Sequence, residues 1–142
     1  MDQKAAPVQT PQDATRIASP LLRNIYRAFD YQTESQIYDS LARSVEGEFL
    51  RKLYLDTTQA LAIEGREGTR VRVSDGDVQI DKVIPGNGLA FTAEGQWTAL
   101  GTVGHWGHTH TRVNRYNARV TIEPVGIEWK ITGIDVQELR RL

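Results

Sequence analysis

The first part of the chain carries apolar residues at helical spacing. A first helix is predicted from Ser19, a good N-cap, followed by Pro20, which suits the first helical position. A second helix is predicted from Thr33 and Gln36, which occupy the two positions of a capping box. Ser44 can cap a third helix, whose apolar period continues to about residue 63.

Beyond about residue 70 the apolar period changes to two, which predicts strands. Asp75-Gly76 indicates a bulge or turn, and turns are also predicted at 85–88 and 124–126. In the last strand the apolar residues change parity between Ile131 and Ile134, so Gly133 is a predicted bulge. Three helices followed by four or five antiparallel strands predict an α+β fold. We expect the helices to pack into a strongly bent sheet that forms a cone with a cavity.

Residues 1–18 contain two prolines, three glutamines and few large apolar side chains. This composition is typical of a flexible tail or linker. We therefore predict a single domain over residues 19–142, and we expect it to be part of a larger protein.

Two segments of the chain resemble the nuclear-transport-factor-2-like superfamily, the cone-shaped fold shared with ketosteroid isomerase and scytalone dehydratase. They are SPLLRNIYRAFDYQTESQIYDSLA and YNARVTIEPVGIEWKITGIDV, and the resemblance covers roughly residues 19–138. The superfamily contains enzymes, binding modules and transport accessories, so the resemblance implies a fold rather than an activity. The Gly-His-Trp-Gly-His stretch is also similar to extracytoplasmic domains of bacterial membrane proteins. That similarity implies a periplasmic location, with a membrane tether in the full-length protein.

Composition excludes several functional classes. The 142 residues include 17 basic and 18 acidic side chains, for a net charge of −1, so no strong field for nucleic acid is expected. The absence of cysteine excludes disulfide scaffolds, thiol catalysis and cysteine-based zinc sites. No apolar run approaches the 18 residues that a membrane-spanning helix needs.

All three histidines lie between residues 105 and 110. Imidazole is a common ligand of zinc, nickel and copper. On a strand, His108 and His110 would point to the same face with Cα atoms about 6.6–6.8 Å apart, which suits chelation of one ion. His105 has the opposite parity and joins them only if a neighbouring glycine bends the backbone. The alternatives are a hydrogen-bonded structural pair or exposed strand residues.

The same parity predicts a ligand pocket. Even-numbered positions from 118 to 122 are apolar, so the even face of this strand should point inward. Without a bulge, that inner face becomes polar toward its start, as in a pocket with an apolar floor and polar groups near its mouth. The predicted ligand-binding residues are Trp106, His108, His110, Arg112 and Tyr116. A single bulge would instead place the histidines on the solvent face.

Three functions follow from these observations. The first is a non-enzymatic binding or interaction module of a larger membrane-associated protein, with a homodimer formed through the outer sheet face. The second is a transition-metal site made by His108 and His110 with help from His105. The third is a small dehydratase or isomerase that uses a histidine base and a tyrosine hydroxyl. The resemblance to ketosteroid isomerase implies a buried carboxylic base, for which Asp135 is the nearest candidate.

Overall fold

The computed structural model describes residues 8–31, 33–67, 70–105 and 108–142. Three α-helices come first: α1 (Pro11–Arg27), α2 (Glu34–Ala42) and α3 (Glu48–Glu67), with one turn of 3-10 helix (Ala28–Asp30) after α1. The strands follow as β1 (Arg70–Pro85), β2 (Phe91–His105), β3 (His108–Val125) and β4 (Glu128–Arg141). They form one antiparallel sheet in the order β1-β2-β3-β4. The predicted α+β fold is therefore confirmed, whereas the cone shape stays a prediction.

Helix α1 begins earlier than the sequence pattern predicts. Thr10 is its N-cap, with the side-chain oxygen accepting from the backbone N–H of Asp13 at 3.1 Å, and Pro11 takes the first helical position. The predicted start at Ser19 is wrong, because Pro20 lies inside the helix. Pro20 is exposed, and its missing N–H removes one backbone hydrogen bond from the helix. Residues 11–18 are thus helix rather than tail, while residues 1–7 lie outside the described residues.

The capping box of α2 is confirmed, and the start of α3 is corrected. Thr33 Oγ1 accepts from the backbone N–H of Gln36 at 3.2 Å, and Gln36 Oε1 accepts from the backbone N–H of Thr33 at 3.3 Å. Ser44 does not cap α3, which begins at Glu48. The carbonyl of Ser44 instead accepts a hydrogen bond from the N–H of Ile131 in β4 at 2.7 Å. Helix α3 also runs beyond residue 63, to Glu67.

The helices cover one face of the sheet, here called the inner face. Alternate residues of β2 are buried there, among them Phe91, Ala93, Trp97 and Ala99. Their neighbours on the outer face are threonines, Glu94 and Gln96, which are partly exposed. This alternation is expected for an antiparallel sheet that is packed on one side. The core therefore lies between this face and the helices. Its largest fully buried side chains are Phe91, Leu22, Leu41, Ile122, Ile131, Val45 and Val120.

The predicted turns and bulges of the sheet are present. Residues 86–90 join β1 to β2, with the N–H of Gly86 donating to the carbonyl of Ala90 at 2.8 Å. Gly126, at φ 63°, allows the tight turn between β3 and β4. The β3–β4 pairing shifts between Thr121 and Ile122, next to Gly133, and again between Asn117 and Ala118. The two shifts keep Ile131, Ile134, Val136 and Leu139 on the inner face despite their uneven spacing.

Candidate functional site

The β2–β3 pairing places the predicted site residues of β3. It runs without a shift from the Phe91–Ile122 pair to the His105–His108 pair. The even residues from His110 to Ile122 therefore share the inner face, as the parity predicts. His110 and Arg112 are exposed and Tyr116 is partly buried. Trp106 and the side chain of His108 lie outside the described residues.

His110, Arg112 and Tyr116 line one depression on the inner face, here called the basic groove. Its volume is about 680 Å³, and Arg141 of β4 lies on it as well. No Asp or Glu occurs among the described residues that line it, so its charge comes from the two arginines. The lining is Tyr26, Phe29, Val73, Ala99, Gly101, Thr109, His110, Thr111, Arg112, Asn114, Tyr116 and Arg141. A role of these residues in ligand binding stays a prediction.

A second depression, here called the apolar cleft, lies between helices α1 and α3 and strands β3 and β4. Its volume is about 640 Å³, within the usual range of ligand sites. Charged residues of its lining, Glu48, Lys52 and Asp56, are four residues apart on α3 and exposed. Lys52 Nζ lies 2.8 Å from Asp56 Oδ2. The lining is Leu22, Ile25, Tyr26, Phe29, Glu48, Phe49, Lys52, Leu53, Asp56, Thr57, Trp97, Tyr116, Thr132, Gly133, Ile134 and Val136.

Four aromatic residues lie where the two depressions adjoin. Trp97 Nε1–H donates to Tyr26 Oη at 2.8 Å, and the Trp97 ring stacks on Tyr116 with centroids 5.5 Å apart. Tyr26, Tyr116 and Phe29 line both depressions. Burial raises the pKa of Tyr26 from its ordinary value of 10.0 to about 12. Its hydroxyl is therefore protonated at neutral pH, which suits a hydrogen-bond donor and acceptor rather than a general base.

The inner face carries a carboxylate, Asp75, that the sequence pattern did not predict. Asp75 pairs with Ala99, and its side chain is only 7% exposed, with Oδ1 at 3.9 Å from Arg23 Nε of α1. From sequence alone, Asp75-Gly76 indicates only a turn or a bulge. The β1–β2 pairing does shift its register after Gly76. Asp135, the candidate carboxylate of the enzyme hypothesis, pairs with Arg119 and is exposed. Arg119 belongs to the outer face, where it contacts Glu94 at 3.0 Å, so Asp135 does not reach either depression.

The histidines remain a predicted metal site. The backbone pairing sets His105 opposite His108 and His110 opposite Val103. Over the described part of the chain, no group of three metal-ligating side chains occurs. The side chains of His105 and His108 lie outside that part, so the prediction of a transition metal bound by His105, His108 and His110 is untested.

Comparison with known proteins shows the fold. No protein-family model matches the chain, and no curated protein matches it in sequence. Among solved structures, the chain is similar to the intermembrane space region of the chloroplast protein ARC6. The TM-score is 0.69 at 19% identity, over 92% of this chain and 98% of that one. A periplasmic fragment of TraM is similar with a TM-score of 0.60 at 16% identity, over 95% of this chain and 100% of that one.

Both similar structures are parts of longer proteins: one is an intermembrane space region and the other is a periplasmic fragment. The nuclear-transport-factor-2-like resemblance is not confirmed by these comparisons and stays a prediction. Within the described ranges, no helix combines the length and apolarity needed to cross a bilayer.

Proposed function

We propose that this chain is a non-enzymatic interaction module, located outside the cytoplasm, of a larger membrane-associated protein. The observation that carries the proposal is the apolar cleft between α3 and β4. Apolar side chains of Phe49, Leu53 and Ile134 are only partly buried in it, and Val136 is 46% exposed. Water-accessible apolar surface in a concave site is typical of a place where another molecule binds.

The similar solved structures support this function. Each is a fragment from a periplasm or an intermembrane space, and each covers nearly the whole of this chain. A fold that recurs in such fragments fits a module that acts as one part of a larger protein. Because identity is below 20%, the partner of this chain has to be inferred from its own surface.

The chemistry of the two depressions favours binding over catalysis. The described carboxylates of the apolar cleft are Glu48 and Asp56, both exposed, and Asp56 is paired with Lys52. The Tyr26 hydroxyl already accepts a hydrogen bond from Trp97, so it is committed in part to the protein's own core. The basic groove does bring His110 together with Tyr26 and Tyr116, as the enzyme hypothesis requires, but His110 is exposed and no Asp or Glu lies among the described lining residues.

Site-specific photocrosslinking in the native organism tests this function. A benzophenone amino acid replaces Lys52, which lines the cleft, or Lys82, which pairs with Glu94 on the outer face, as a matched control. We expect position 52 to crosslink a different protein, and position 82 to crosslink no protein other than a second copy of this chain. Val136→Lys should remove the adduct, while Leu100→Lys, at an outer-face position of similar exposure, should retain it. Equal crosslinking from both positions, or an adduct that survives Val136→Lys, would contradict the proposal.

A further inference from the structure

The edge of strand β4 already accepts an extended segment of this chain. Strand β4 lies at the end of the sheet and pairs with β3 on one side. On its other side, the N–H of Ile131 donates to the carbonyl of Ser44 at 2.7 Å, and the N–H of Glu46 donates to the carbonyl of Ile131 at 3.0 Å. Val45 thereby forms a parallel bridge with Ile131. This short pairing stops where α3 begins at Glu48.

Beyond Ile131, the same edge runs along the apolar cleft. Ile134 and Val136 line the cleft, and Leu139 continues the inner-face row opposite Tyr116. Val136 is 46% exposed and Leu139 is 56% exposed. Proteins rarely leave a long strand edge with apolar side chains uncovered, because such an edge pairs readily with another chain.

The far end of this edge is positively charged. Arg141 ends β4 opposite Asn114 and lines the basic groove together with Arg112. The segment from Gly133 to Arg141 is about 25 Å long at ~3.3 Å per residue. It can therefore pair with an extended segment of about seven to nine residues. A segment on this edge meets the apolar cleft first and two arginines last.

We infer that the partner of the proposed interaction module binds as an added strand on the β4 edge, next to Val45. The partner is a peptide segment of another protein, with apolar side chains at alternate positions and an Asp or Glu near one end. The alternate apolar side chains enter the cleft, because every second side chain of a strand points to the same face. The acidic side chain lies over Arg112 and Arg141. This inference rests on the proposed function and specifies how the cleft is used.

Selection from a random library of nine-residue peptides displayed on phage tests the inference with the complete chain as bait. We expect enriched peptides to carry apolar residues at every second position and an acidic residue near one end. The best peptide is then synthesised with a fluorophore, and its Kd is measured by fluorescence polarisation. Failure to enrich any such pattern would overturn the inference.

N-methylation of the peptide backbone separates strand addition from other modes of binding. Methyl groups on one set of alternate amides should weaken binding at least tenfold, because those N–H groups pair with β4. Methyl groups on the other set point away from the sheet and should leave the Kd within about twofold. Equal effects of the two sets would overturn the added strand.

Two protein variants, with Leu100→Lys as their control, separate the inference from the proposed function. The double variant Arg112→Gln and Arg141→Gln should raise the Kd of the acidic peptide at least tenfold. It should leave unchanged the Kd of a peptide that has Gln in place of its acidic residue. Val136→Lys should abolish binding of both, whereas Leu100→Lys should have no effect. Binding that needs Val136 but not the alternate amides retains the proposed function and overturns the inference. Binding that is insensitive to Val136→Lys contradicts both.

A second copy of the chain is the competing occupant of this edge. Light scattering of the protein as it elutes from a size-exclusion column, at several loading concentrations, tells whether a second copy occupies this edge. We expect Leu139→Lys to leave the oligomeric state unchanged, because the homodimer predicted from sequence uses the outer sheet face and not this edge. A dimer that is dissociated by Leu139→Lys would assign the edge to self-association and would overturn the inference of a peptide partner.

Discussion

At the scale of single residues, the hydrogen bond between Trp97 and Tyr26 is the polar interaction that holds these two side chains of the apolar cleft in place. Trp97 is 2% exposed, so its indole N–H needs a partner within the protein, and the Tyr26 hydroxyl at 2.8 Å is that partner. The two residues are 71 positions apart in the chain. Tyr26 also lines both the apolar cleft and the basic groove, so its position influences both depressions.

We expect Tyr26→Phe to lower the free energy of unfolding by about 1–3 kcal/mol, because the buried Trp97 N–H loses its acceptor. Urea denaturation measures this loss. Tyr116→Phe is the matched control, because it keeps the ring that stacks on Trp97 and leaves the hydrogen bond intact. Equal losses in the two variants would mean that the hydrogen bond contributes little.

The pKa of Tyr26 predicts a dependence of stability on pH. Burial raises this pKa from 10.0 to about 12 in the folded protein, so the unfolded chain releases the proton first. The contribution of Tyr26 to stability is therefore complete below pH 10 and falls as the pH rises from 10 to about 12. Denaturation of the natural chain and of Tyr26→Phe at several pH values isolates the effect, since the variant lacks the hydroxyl. A stability difference that is constant from pH 9 to pH 12 would contradict the raised pKa.

At the scale of elements, the hairpin of β1 and β2 depends on a close approach at Gly95. Gly95 pairs with Ile80, beside a shift in the register of β1. A Cβ atom at position 95 would collide with the carbonyl oxygen of Gln79 and would lie 2.8 Å from the Cα of Ile80. Both contacts are with backbone, which cannot move without breaking the pairing. Glycine is therefore required here for space rather than for a special backbone angle.

We expect Gly95→Ala to destabilise the protein by about 2 kcal/mol or more, because the added methyl group forces β1 away from β2. Gly101→Ala is the control on the same strand. Its Cβ would lie 3.8 Å from the nearest atom, the carbonyl oxygen of Arg112, so we expect a change within about 1 kcal/mol. Thermal denaturation followed by circular dichroism compares the two. A Gly95→Ala variant as stable as Gly101→Ala would show that β1 can shift without cost.

At the scale of the whole molecule, the helices have to cover the inner face of a sheet whose strands are longer than most. Helix α1 contacts β1 extensively, and its first half contributes Ala14 and Ala18 to the core, both fully buried. Val8, before the helix, is 8% exposed and belongs to the same core. The packed unit therefore includes residues that the composition of 1–18 assigns to a linker.

Deletion of residues 1–18 should consequently destabilise the protein by several kcal/mol, because full burial of one valine side chain alone is worth roughly 1.5–3 kcal/mol. Deletion of residues 1–7 is the matched control and keeps Val8, Ala14 and Ala18. Urea denaturation of both shortened chains against the complete chain measures the difference. Equal stability of the two shortened chains would support the predicted domain boundary at residue 19.

Much of the fold could be predicted from sequence, but less of the site. The period-two pattern predicted that His110, Arg112 and Tyr116 share a face, and the unshifted β2–β3 pairing places them there. The apolar cleft was not predicted, because its walls come from α1, α3 and β4, which are distant in sequence. Asp75 was missed for the same reason, since only the pairing with β2 shows that it points inward.

The sequence alone determined the features that depend on neighbours a few residues apart. These are the order of helices before strands, the capping box at Thr33, and the turns near Gly86 and Gly126. Each follows from local periodicity, capping or turn geometry, which act within one turn of helix or one hairpin.

Tertiary structure alone decided which face Asp75 occupies and what the edge of β4 meets, and it decided between two local start signals for α1, Thr10-Pro11 and Ser19-Pro20. Pro20 signals a helix start locally, but burial of Ala14 and Ala18 against the core favours a helix that begins at Pro11. The pairing of Ile131 with Ser44 and Glu46 likewise joins residues far apart in the chain. Such contacts form only when the whole core assembles, because their free energy comes from burial and pairing between distant segments rather than from any local preference of the chain.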